Sequence, residues 1–160
     1  MRNDFTFADE VRGDDYALLV GASPDWCDHF LLVLRDEVER SAACEAALHR
    51  LEPDLIGKDR RNAWPGTVLH GRTAEILSYR NSEAVRRALI ELANGLYDWV
   101  HPDLPEDLSF LRPDGSAWLT TIAHERDSYL SLEASEYAKL VERVPMVAGK
   151  LQSGDAHPNA

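Results

Sequence analysis

The pair His124-Glu125 is the most chemically suggestive dipeptide in the chain. An imidazole beside a carboxylate is a minimal general acid/base unit. It also matches the first half of the zinc-protease pattern His-Glu-x-x-His, but position 128 is Ser, so the second ligand of that pattern is missing. On a strand, adjacent side chains point to opposite faces, which separates His124 from Glu125 unless a bulge intervenes. The plainer reading makes His124 a hydrogen-bonded residue at a strand end and Glu125 a solvated one beside a turn.

Other candidate chemistry is sparser. His29, His49, His70, His101 and His157 are scattered, with no pair three or four residues apart. Asp25-Trp-Cys-Asp-His29 gathers potential ligands, yet it precedes an apolar run and reads equally well as a turn. No metal or cofactor is therefore expected. Nucleophile elbows, P-loops and dinucleotide glycine fingerprints are all missing. The basic stretch Lys58-Asp-Arg-Arg61, with Trp64 and Arg72 nearby, could hold an anion, although Asp59 dilutes it. Trp64, Tyr79, Tyr97, Trp99 and Trp118 could line a pocket, although aromatics on sheet and helix faces more often fill core. The binding candidates are Trp64, Arg72, Tyr79, Trp118, His124 and Glu125.

These residues must be positioned by a hairpin, Leu108 to Glu125. Pro113, Asp114 and Gly115 carry its turn chemistry, with Gly115 taking the left-handed position. Trp118, Thr120, Ile122 and His124 alternate with Leu119, Thr121, Ala123 and Glu125 at strand period. Neither face is cleanly polar, which predicts a strand inside a sheet with helices on one face.

Around the hairpin, Tyr16–Val20 and His29–Arg35 read as strands that pair with each other, although the second run could instead open a helix from Asp25 through Arg40, and Ser41 caps a helix bearing Cys44, Ala47, Leu48 and Leu51. A loop over Gly57–Gly66 precedes a strand at Glu75–Arg80. The stripe Val85, Ala88, Leu89, Leu92, Ala93, Leu96, Trp99 and Val100 predicts a helix from Ser82 to Val100. A third strand at Tyr129–Leu132 and a helix over 133–144 follow. The fold expected is α+β, one domain over 1–160, with a largely antiparallel sheet of about five to six strands packed by about three helices; residues 1–9 and 152–160 read as loose tails.

The chain has 160 residues and a formal net charge of −11, which opposes binding to a phosphate backbone. Residues 1–40 hold ten acids against four bases, residues 41–80 five against six, and residues 81–160 thirteen against seven. Any anion site thus belongs to the middle. The start of the sequence lacks the apolar core of a signal peptide, and no apolar run reaches membrane-spanning length. A cytoplasmic protein with Cys27 and Cys44 reduced is expected, with no nucleic-acid or membrane partner.

Trp64-Pro-Gly-Thr67, Gly71, Tyr79, Leu96-Tyr97 with Trp99, Leu104-Pro-Glu-Asp-Leu108, Asp114-Gly115, Trp118 and Ile122-Ala-His-Glu125 together resemble a family of uncharacterised bacterial proteins. Some members of that family carry a stage III sporulation label. The resemblance spans about the middle 60 positions and implies no activity, cofactor or catalytic residue.

Two functional readings follow. The first is a non-catalytic cytoplasmic module that binds a protein, a basic partner suiting the acid excess, with immunity-type neutralisation of a cationic toxin as a concrete form. The second is a small hydrolase or ligand-binding enzyme using His124 in a pocket lined by Trp118 and Tyr79. A concave pocket holding His124 and a second polar group would separate them.

Overall fold

A computed structural model describes residues 1–154. The N-terminal half comprises β1 (Asn3–Phe7), α1 (Asp14–Ala22), β2 (His29–Leu34), α2 (Ala42–Leu51), β3 (Leu55–Arg61), the short β4 (Ala63–Trp64) and β5 (Thr67–Val68), and β6 (Ala74–Arg80). Then come α3 (Glu83–Leu92), β7 (Glu106–Leu111), β8 (Ala117–Ile122), β9 (Asp127–Leu132), α4 (Ala134–Arg143), α5 (Val147–Lys150) and β10 (Leu151–Ser153). Eight strands form one antiparallel sheet in the order β10-β1-β9-β8-β7-β2-β6-β3, and β4 and β5 form a separate hairpin. The class is α+β as expected, but with more strands and more helices than expected.

The hairpin of β7 and β8 forms where its turn chemistry predicts. The Gly115 amide donates to the Arg112 carbonyl at 2.8 Å, and Gly115 takes φ +86°. Arg112 then clamps this turn to the rest of the sheet. Its guanidinium donates to the carbonyls of Ala117 (2.9 Å) and Ser131 (2.6 Å) and pairs with Glu136 at 2.8 Å. Glu136 also closes the capping box of α4 with Glu133, so one carboxylate ties a helix start to the hairpin. A bulge in the β7–β8 register lets Trp118 and Leu119 both join the helix-side core.

Helices cover one face of the sheet. Phe30, Leu32, Phe110, Trp118 and Leu130 of the sheet pack there with Tyr16, Leu19, Leu89 and Leu140 of the helices. A buried relay fastens this layer: the Trp99 indole donates to the Tyr16 hydroxyl at 3.0 Å, which donates to the Leu89 carbonyl at 2.7 Å. The opposite face carries a smaller apolar cluster, Leu31, Val33, Ala74, Ile76 and Leu111, beneath Trp64 and Leu69. There the β4–β5 hairpin is the cover.

Five local expectations are corrected. Tyr16–Val20 is helical, because its unbroken apolar run has no decisive period and the acidic first turn, Asp14 and Asp15, favours a helix start. Its buried residues Tyr16, Leu19 and Val20 fall at helical spacing, while Leu18 is exposed. The segment 1–9 is not loose: β1 lies between β9 and β10. Of the expected C-terminal tail, Gln152 and Ser153 belong to β10, and residues 155–160 lie outside the described residues. The loop expected at Gly57–Gly66 begins as β3, an edge strand whose exposed polar side chains hide its pairing with β6. Finally, α3 stops at Leu92. Asn94-Gly95 turns the chain so that Gly95 bridges Arg12 and the Leu96 amide reaches the Val11 carbonyl.

Gly13 and Gly115 both have positive φ, +60° and +86°. Gly115→Ala and Gly13→Ala should therefore each cost about 1–2 kcal/mol, the penalty of placing an L-residue in the left-handed region. Chemical denaturation of both variants checks this, and an unchanged Gly115→Ala would disprove the turn.

Candidate functional site

Three separated stretches converge at one end of the hairpin, and Asp107 is where they meet. Its backbone takes φ +59°, rare for a residue other than glycine, and its side chain is fully buried. The Trp64 indole donates to Oδ2 at 2.9 Å, and the Ala123 amide donates to Oδ1 at 3.0 Å. Trp64 belongs to Trp64-Pro-Gly-Thr67, Asp107 to Leu104-Pro-Glu-Asp-Leu108, and Ala123 to Ile122-Ala-His-Glu125. Gly66 tightens the same junction. It has φ +83°, and a Cβ there would lie 2.8 Å from Ile122 Cγ1, so only glycine lets the β4–β5 turn rest on β8.

Arg35, at the end of β2, balances the acids. Its Nε donates to Glu106 at 2.6 Å, its Nη2 lies 3.9 Å from Asp107 Oδ2, and its guanidinium carbon sits 5.1 Å from the centroid of the Trp64 ring. His101 supports it from the backbone side, with Nε2 accepting the Arg35 amide at 3.1 Å. That role requires neutral imidazole with the proton on Nδ1, and burial lowers the His101 pKa accordingly. Burial raises the Asp107 pKa, while the bonds from Trp64 and Ala123 pull it down.

A carboxylate oxygen from each of Glu106 and Asp107 and a ring nitrogen of His124 lie within 4.8 Å of one another. The donors around them already answer their charge. Glu106 is engaged by Arg35, both Asp107 oxygens accept strong donors, and the guanidinium stands where a divalent cation would be repelled. His124, nearly half exposed, contributes from the rim. The arrangement fits an ion-pair network better than a metal centre, although Arg35 Nη2 and His101 Nδ1 are buried without a hydrogen-bond partner among the described residues.

The sequence candidates are divided by the sheet. Trp64 alone of the six enters the buried network. His124 and Glu125 lie in a 3-10 turn, Ala123–Glu125, rather than on a strand, so the opposite-face argument does not apply; their Nε2 and Oε1 are 3.8 Å apart, both exposed. Tyr79 and Trp118 belong to the helix-side core, Tyr79 stacked on Phe30 and Trp118 on Trp26, so neither shares a pocket with His124. Arg72 is exposed and approaches Glu37 at 3.7 Å. The basic stretch is likewise answered by acids, Arg60 by Asp36 and Arg61 by Asp59. Arg35, His101, Glu106 and Asp107 escaped sequence reasoning. The one signal was Glu106-Asp107 immediately before an apolar strand, a place where two adjacent acids can be buried only with partners.

Beside this network the sheet's second face carries an open groove of about 460 Å³. Pro65, Val68 and Ala117 line its apolar part, with Trp64, Thr120 and Tyr129, and Arg2 and Asp4 of the first segment border it. Comparison with known protein families, curated proteins and solved structures finds no match to this chain. What the site can do therefore rests on its geometry.

Asp107→Asn keeps the shape but replaces one acceptor with a donor facing a buried N–H, and should cost about 1–3 kcal/mol. Because the native pKa of Asp107 is raised, the native state holds its proton more tightly than the unfolded chain. Wild-type stability contributed by this group is therefore greatest in acid and declines as pH rises from about 4 through the native pKa. The gap between wild type and Asp107→Asn should narrow over that window and stay constant above it. Urea titrations at several pH values test this; a gap that widens with pH would show that pairing with Arg35 outweighs burial.

Proposed function

We propose that this chain is a non-catalytic module that binds a basic protein, in the manner of an immunity protein covering a cationic toxin. One observation carries the reading: the apolar groove of about 460 Å³ on the sheet face that the helices leave open, in a chain of net charge −11. An apolar centre with a polar border is the usual anatomy of an association surface, and an acid excess steers a cationic partner toward it. The buried polar groups behind the groove support a rigid surface. Arg35, Glu106, Asp107 and Trp64 bond chiefly to one another and hold the groove wall in place. A hydrolase built on His124 has less support, since the imidazole stands on an exposed turn away from Trp118 and Tyr79. Among the described residues no helix is long and apolar enough to cross a membrane.

The test is kinetic. The purified chain is used to capture interacting proteins by cross-linking, and each captured protein is then purified and its association measured at low and high salt. A basic partner is expected, with an association rate that falls about tenfold between roughly 0.05 M and 0.3 M salt as exposed attraction is screened. Val68→Lys, which places a cation in the groove, should weaken the same complex. A partner that is acidic, or whose rate ignores salt, would overturn the reading.

A further inference from the structure

The groove has a charged end that its own residues do not neutralise. Arg2 and Asp4 both border it, two residues apart on the same face of the first strand region, whereas Phe5 turns to the helix side and packs against Tyr137. Arg2 is engaged elsewhere: its Nη1 donates to Ser116 Oγ at 2.9 Å and its Nη2 lies 3.9 Å from Asp114. Asp4 has no ion pair and no side-chain hydrogen bond among the described residues. Its strand neighbours on the groove side, Ser131 opposite it and Tyr129 beyond, bring no cation. Asp4 thus brings a carboxylate to the groove beside an apolar floor, while the guanidinium on the same border is drawn to Ser116 and Asp114.

That combination fits one kind of side chain. A long aliphatic stem ending in a cation covers apolar surface with its methylenes and keeps its head in a polar setting. We propose that the groove anchors an arginine or lysine side chain of the basic protein partner, with its stem along Pro65, Val68 and Ala117 and its cation on Asp4. This rests on the binding-module reading and adds where the partner's charge is received. An acidic side chain would meet Asp4 unscreened, and a purely apolar one would leave that carboxylate desolvated without a partner. The groove therefore selects for charge as well as for shape, and Asp4 is the residue that does so.

The full chain can be titrated with acetylated, amidated hexa-arginine at low salt and followed by amide chemical shifts. Shifts should concentrate in β1, β9 and the β4–β5 hairpin. Asp4→Asn and Val68→Lys should each weaken binding about fivefold or more, the scale of losing a partly desolvated charge pair or blocking its seat. Glu142→Gln removes one exposed acid from α4, on the helical face, and should change affinity less than about twofold. Because Asp4 makes no side-chain bond among the described residues, its amide variant should melt as wild type does. Equal losses from Asp4→Asn and Glu142→Gln would mean that binding is diffuse attraction, and shifts centred elsewhere or no binding at all would place the anchor outside the groove. Each of those results overturns this assignment and leaves the partner-association measurement to judge the module reading separately.

Discussion

The structure depends on burying one carboxylate in a backbone conformation that side chains avoid. Asp107 at φ +59° is tolerated because its surroundings over-determine it: the indole of Trp64, the amide of Ala123 and the charge of Arg35 all require an acceptor at that place. An isolated buried carboxylate would cost several kcal/mol, and its removal would strand the donors around it. The three segments it joins are far apart in the chain, yet none can move without unpairing the others.

From that constraint follows the asymmetry of the two sheet faces. Helices cover one face with a continuous core of large side chains, Trp99, Trp118, Phe30 and Phe110 among them. On the other face, among the described residues, a short hairpin tied down through Trp64 covers the β2, β6 and β7 side and reaches β8 at Gly66, against Ile122 and Thr120. The portion over β8, β9 and β1 stays open and becomes the groove. An antiparallel sheet allows this division, since its two faces need not be covered alike.

Charge is organised by the same tertiary contacts. The basic stretch of β3 and the following loop lies alongside the acidic loop after β2, where Arg60 meets Asp36 and Arg72 meets Glu37. Such exposed pairs add little stability, and they answer part of the basic charge of the middle segment. Lys58, Arg60 and Arg61 also guard the free edge of β3 against pairing with another strand.

Local chemistry was legible in the sequence wherever a residue's own conformational preference decides the outcome. Ser41 caps its helix because its hydroxyl accepts an amide one turn on, at Cys44. The Pro113–Gly115 turn, β2, β6 and β9 were set by turn residues and apolar runs in the same way, and with them the α+β class. Tertiary structure decided what depends on distant partners. Tyr16–Val20 became a helix because its buried face found α3, and β1 and β3 became strands because a neighbour offered its ladder. Of the site, Trp64 was visible as an aromatic in a Pro-Gly turn. Asp107 and Arg35 were not, because burying a charge is favourable only when its partners arrive from 43 and 72 residues away along the chain, and no local pattern encodes that arrival.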